Sequence, residues 1–151
     1  MVKITLSIAK QLIEAAEYKA KTLGVSQVIS IVDEGGNLVA LTRMDGAWLA
    51  SIDIAQNKAW TAVSLQMPTS ALAKIALPTG ELFGINTTNQ GRVVVLGGGI
   101  PLRQNGNVVG AVGVSGSTII NDVKVAKAAV QAFEHLYGFN VQPFPHQAYY
   151  Y

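Results

Sequence analysis

Four charged side chains carry the first chemical suggestion in this sequence of 151 residues: Asp33, Arg43, Asp45 and Lys58. Arg43 has the planar fork that clamps a carboxylate through two parallel hydrogen bonds. Lys58, once partly desolvated, can hold an anion or trade a proton as an acid/base. Asp33 or Asp45 could then serve as the base. Together these residue types suit proton transfer or elimination on a small carboxylated molecule. The same four would equally make a salt-bridged cluster that fixes a hairpin to the helix after it. Types and spacing leave both roles open.

Other chemistries fit less well. Gly97-Gly98-Gly99 leads through Pro101 into a further strand pattern, not into the helix N-terminus that a phosphate-binding glycine turn requires. No nucleotide site is expected. Gly113-Val114-Ser115-Gly116-Ser117 departs from a nucleophile elbow, because Ser117 stands where a glycine is needed. Its only histidine partners would be His135 and His146. Two distant histidines and no cysteine exclude disulfides and make zinc unexpected. Gly110, Gly113 and Gly116 step by three inside one strand pattern. Either a helix or a neighbouring subunit crosses close to that strand, or a flat ligand lies on it. Trp48 and Trp60 are about three helical turns apart, which suits core or subunit packing.

Only 13% of the residues are charged and 50% are hydrophobic, against about 25% charged in an average soluble domain. This deficit argues that some surface is covered, most simply by other copies of the chain. The net charge of +2, without a basic block, argues against nucleic acid and anionic membrane as partners. The apolar stretches break before the ~18 residues of a membrane span. The N-terminal segment carries Glu14 and Glu17 and does not read as a signal peptide. A cytoplasmic, soluble homo-oligomer is expected.

The elements that must position these residues follow from periodicity. Leu6, Ala9, Ile13, Ala16 and Ala20 form one face of a first helix, capped by Thr5 or Ser7 and stopped at Gly24. Gln27–Val32 and Leu38–Met44 read as a hairpin around Asp33-Glu34-Gly35-Gly36-Asn37. Residues 47–66 read as a helix with Ile52, Ala55, Ala59 and Ala62 inward, ended by Pro68. A short helix over Ala71–Ala76 follows, then a polar loop from Pro78 to Gly91. Arg92–Leu96 reads as a strand. Ile100–Arg103 and Val108–Val114 form a second hairpin around Asn105-Gly106. Asn121 or Asp122 caps a last helix with the stripe Val123, Ala126, Val130, Phe133 and Tyr137, stopped at Gly138. Two groups of turn-linked strands between helices predict an α+β fold with an antiparallel sheet. The predicted domain spans residues 1–138, and the tail, 139–151, with Pro143, Pro145 and three terminal tyrosines, reads as irregular.

In order, Val32-Asp33-Glu34-Gly35-Gly36-Asn37-Leu38, Arg43-Met44-Asp45-Gly46-Ala47, Ala55-Gln56-Asn57-Lys58-Ala59-Trp60-Thr61-Ala62, Gly97-Gly98-Gly99-Ile100-Pro101 and Val108–Gly116 resemble the heme-degrading GlcG/HbpS-like family. The stretch from Leu82-Phe83-Gly84 to Thr88-Asn89-Gln90 is similar to its branch containing the C-terminal domain of PduO-type corrinoid adenosyltransferases. The resemblance covers about Thr5 to Leu136. It implies a profilin-like α+β domain with a five-stranded antiparallel sheet, assembling from dimers up to octamers. It implies a tetrapyrrole ligand, heme, in an accessory role beside a corrinoid-dependent catabolic pathway, with small-molecule enzymes as other members. Arg43 or Lys58 would then pair with propionates, and Phe83, Gly98 and Gly99 would contact the ligand. In the PduO-like branch a first-helix histidine is associated with the iron. This first helix has none, and Tyr18 is its strongest candidate for the iron ligand, since tyrosine can ligate heme.

Overall fold

The computed structural model describes residues 1–138. The tail expected to be irregular, with His146, lies outside the described residues. Helix α1 (Leu6–Leu23) precedes the hairpin β1 (Val28–Asp33) and β2 (Leu38–Arg43). Helices α2 (Ala50–Leu65) and α3 (Thr69–Ile75) follow. Two short 3-10 turns, Ile85–Thr87 and Asn89–Gly91, lead to the hairpin β3 (Gly99–Gln104) and β4 (Asn107–Ser115), and α4 (Ile119–Tyr137) ends the fold. The sheet order is β2-β1-β4-β3, and every pairing is antiparallel.

Local chemistry sets the ends of these elements. Thr5 Oγ1 accepts the Ile8 N–H at 3.2 Å, and Gly24 closes α1 with φ 70°. The first hairpin turns on an Asp33 carboxylate that accepts the Gly35 and Asn37 N–H groups, each at 2.9 Å. The second turns on Asn105 (φ 52°) and Gly106 (φ 78°), the two positive-φ positions of a tight hairpin turn. The last helix starts earlier than its sequence suggests. Thr118, not Asn121 or Asp122, is the cap, and its side chain accepts the Asn121 N–H at 3.2 Å. Asp122 is thereby freed to point inward. The buried stripe shifts to Asp122, Val125, Ala126, Ala129 and Phe133.

The sheet is covered on both faces, so β1 is buried along almost its whole length. Period-two alternation sends Ile29 and Ile31 toward α1 and α4, with Leu12, Val125 and Phe133. Val28 and Val32 go to the other side, against Ala55, Ala59 and Ala62 of α2. Alanines on α2 and glycines beneath let the two backbones touch. A Cβ on Gly113 would run into the Ala55 carbonyl oxygen, and one on Gly99 into that of Lys58. A crossing helix therefore accounts for the glycine at Gly113.

The expected five-stranded sheet is corrected to four strands among the described residues. Arg92–Leu96 is not a strand. Its backbone bonds to a side chain of α2: Thr61 Oγ1 accepts the Val94 N–H at 3.0 Å and donates to the Arg92 carbonyl at 3.4 Å. Val93 is buried with Met67 and Leu72. The segment is thus a strap over the outer face of α2, its apolar residues used for packing without a strand partner.

Candidate functional site

The four charges singled out above separate into three places. Asp33 is spent on its own turn, where Asn37 Nδ2 also donates to it. Lys58 crosses the end of the sheet from α2 and meets Asp122 of α4 at 3.0 Å. Its ammonium also donates to the Val114 carbonyl at 2.9 Å. Asp122 Oδ1 accepts from Gln27 Nε2 and from the Ser117 N–H at 3.1 Å. Side-chain exposure is 1% for Lys58 and 3% for Asp122, so the pair is sealed from solvent. Desolvation pushes the Lys58 pKa down, against the pull of Asp122. Desolvation likewise pushes Asp122 up, against Lys58, Ser117 and Gln27. Gly98 completes the enclosure. It has φ 126°, and a Cβ there would lie 2.9 Å from Lys58 Nζ and 3.2 Å from Asp122 Cβ. Lys58, Gly98 and Gly99 therefore do come together, in the interior.

Arg43 and Asp45 line a different place, an open groove of about 300 Å³ between the C-terminal half of α1 and the end of β2. Thr42, Met44, Glu17 and Lys21 complete its lining. Arg43 is held by two hydrogen bonds, from Nε and Nη2 to the Ala47 carbonyl, at 3.0 and 2.8 Å. This leaves Nη1 for a ligand. Glu17 and Lys21 pair at 3.3 Å along the helix. Tyr18 is 72% exposed and lies three residues before Lys21, hence on the same side of α1. Phe83 is exposed in the loop between α3 and the first 3-10 turn, away from α1. The structure therefore joins Arg43 and Asp45, places Tyr18 on the exposed side of α1 outside the groove's lining, and leaves Asp33, Lys58, Phe83, Gly98 and Gly99 elsewhere.

Nothing in the types of Glu17 and Lys21 marks them as site residues; their spacing on α1 is the available signal. Gln27 and the pairing role of Asp122 carried a weaker one: an aspartate within an apolar helix stripe.

A family model described as haem degrading protein HbpS-like matches residues 4–131. This chain belongs to the HbpS-like family. Within it, the chain is 44% identical over 133 residues to an uncharacterized 15.0 kDa protein from the dhaT-dhaS intergenic region of Citrobacter freundii, covering 88% of this chain and 94% of that protein. It is 38% identical over 122 residues to the corrinoid adenosyltransferase PduO of Salmonella typhimurium, covering 81% of this chain and 36% of that much longer protein. The solved PduOC:heme complex superposes with a TM-score of 0.83 at 37% identity, covering 87% of this chain and 95% of that one. The α+β architecture and the PduO-like branch of the family follow from these matches.

Proposed function

We propose that this chain binds heme in the groove between α1 and β2. The observation that carries this reading is the donor set in the groove, Arg43 and Lys21, with Tyr18 exposed on the neighbouring turn of α1. Tyr18 offers an accessible phenol oxygen of the kind that ligates heme iron. Arg43 and Lys21 offer two cations for a pair of propionates, and the half-buried Met44 gives the groove some apolar lining. The likeness to a protein solved with heme supports it. Lys58, assigned to a propionate on the resemblance, is replaced in this role by Lys21, because Lys58 is sealed against Asp122.

Arg43 and Lys21 would hold the group by its propionates, and Tyr18 would supply an oxygen ligand to its iron. A groove of about 300 Å³ is at the small end of small-molecule sites, so it would leave part of a heme exposed. A second copy of the chain would cover it, consistent with the low charge of the sequence. When bound, heme supplies its own redox and oxygen chemistry. The side chains here orient it: Arg43 is pre-set by the Ala47 carbonyl, and Glu17 keeps Lys21 in place. We place the protein as a cytoplasmic, oligomeric accessory to a corrinoid-dependent catabolic pathway, a reading supported by the match to PduO.

Hemin titration followed at the Soret band tests the proposal. Saturable binding that disappears in the charge-reversed Lys21→Glu/Arg43→Glu variant is expected. Non-saturating absorbance, the same in both proteins, overturns it.

A further inference from the structure

Arg92 lies on the α2 side of the sheet, opposite the groove. Its guanidinium carbon lies 4.3 Å from the centroid of the Trp60 ring, a stacked cation–π contact that orients the planar fork. The backbone at Arg92 is clamped by Thr61, which bonds to the Arg92 carbonyl and to the Val94 N–H. Just before it, Asn89, Gln90 and Gly91 all have positive φ, at 50°, 59° and 76°. Asparagine and glycine take that left-handed conformation readily, but Gln90 holds it at a cost, and such strain gathers at functional sites.

The other two arginines show what an arginine used by the fold looks like. Arg43 donates twice to the Ala47 carbonyl, and Arg103 donates to the carbonyls of Gln66 and Gly106. Arg92 is exposed, and among the described residues none accepts a hydrogen bond from its side chain. The fold holds this arginine by its ring contact and its backbone, and leaves its donors free.

We infer that Arg92 anchors a binding site for a small bidentate oxyanion, a carboxylate or a phosphate. Two parallel hydrogen bonds from the fork would hold it, with Trp60 behind the guanidinium as its rigid support.

Trp60 reports on the site directly. Trp48→Phe leaves it as the only tryptophan. Titrations of that variant with acetate and with inorganic phosphate, against chloride at equal ionic strength, should give a saturable fluorescence change with at least one of the two. The tighter of the two assigns the ligand as carboxylate or phosphate. Adding Arg92→Gln should weaken the response by about ten-fold or more, and Arg92→Lys should weaken it several-fold, since lysine keeps the charge without the fork. Retained hemin binding and an unchanged melting temperature in the Arg92→Gln protein keep the result separate from the groove and from misfolding. A response no different from chloride, or one equal with and without Arg92, overturns the inference.

Discussion

The interior pair Lys58–Asp122 and the groove at Arg43 and Asp45 use the same kinds of side chain to opposite ends. In the pair, a cation and an anion 3.0 Å apart are shut away from water, and their hydrogen bonds end on Val114, Gln27 and Ser117. In the groove, Arg43 and Lys21 sit beside open space with Glu17 and Asp45. Burial turns the first set into a tie between α2, β4 and α4. Exposure leaves the second free for a ligand. Gln27 touches both regions. Its side chain donates to Asp122, and its carbonyl accepts the N–H of Met44 in the groove wall at 3.0 Å. The two regions are neighbours in the fold, yet substitutions should separate them cleanly.

The largest expected effect is in the pair. Lys58→Met leaves Asp122 as an unpaired buried carboxylate and should lower stability by about 3–5 kcal/mol, measured by urea unfolding at pH 7. The sign of its pH dependence follows from the direction of the shift. Burial already raises the Asp122 pKa, and losing Lys58 raises it further. A raised carboxyl favours the folded state when protonated. Its contribution is complete below the unfolded value of 3.8 and is lost as pH rises through the folded value. The deficit of Lys58→Met against the native protein should therefore shrink as pH falls toward that value. The double variant Lys58→Met/Asp122→Leu should recover most of the loss, because a well-packed apolar replacement of a buried pair is often neutral or better. A single variant as stable as the native protein would show that the pair is not the tie described above.

Next comes the contact that lets α2 reach the sheet. Gly113→Ala puts a methyl group 2.6 Å from the Ala59 nitrogen and into the Ala55 carbonyl. Both are helix backbone and cannot turn aside. A loss of about 1–3 kcal/mol is expected, read as a lower melting temperature. A neutral result would mean that α2 shifts easily on the sheet.

Much of this frame was legible in the sequence because it rests on local chemistry. The Thr5 cap, the Gly24 stop, the Asp33 turn and the Asn105-Gly106 turn involve residues a few positions apart, and all stand near where the periodicity puts them. Arg92–Leu96 misled because β-branched apolar residues suit a strap packed on α2 as well as a strand. Lys58 misled for a related reason. Its partner lies 64 positions away, and helix spacing cannot say that α4 brings Asp122 to the end of the sheet. The groove was half legible: Arg43 and Asp45 stand out by type, while the helix spacing that adds Glu17 and Lys21 was there to use.

In the groove the stability effects are smaller and the binding effects larger. Arg43→Gln removes two hydrogen bonds to Ala47 and should cost about 0.5–1.5 kcal/mol of stability. Hemin affinity should fall by about ten-fold, which is the loss of about 1.4 kcal/mol expected for a charged contact to a propionate. Unchanged affinity would move the propionates away from Arg43.

Tyr18→Phe should be the gentlest change to the fold and the most telling for the ligand. At 72% exposure the side chain makes little packing, and the hydroxyl has no partner among the described residues. Stability should stay within about 0.5 kcal/mol of the native protein. Losing the phenol oxygen removes the proposed iron ligand but leaves Arg43 and Lys21 in place. Hemin should still bind through its propionates, with a displaced Soret band and weaker affinity. A variant with the native spectrum would show that the iron is held elsewhere, and the groove would remain a seat for the carboxylates alone. A variant that loses the spectrum while keeping its melting temperature would separate what the groove does for the ligand from what the buried pair does for the fold.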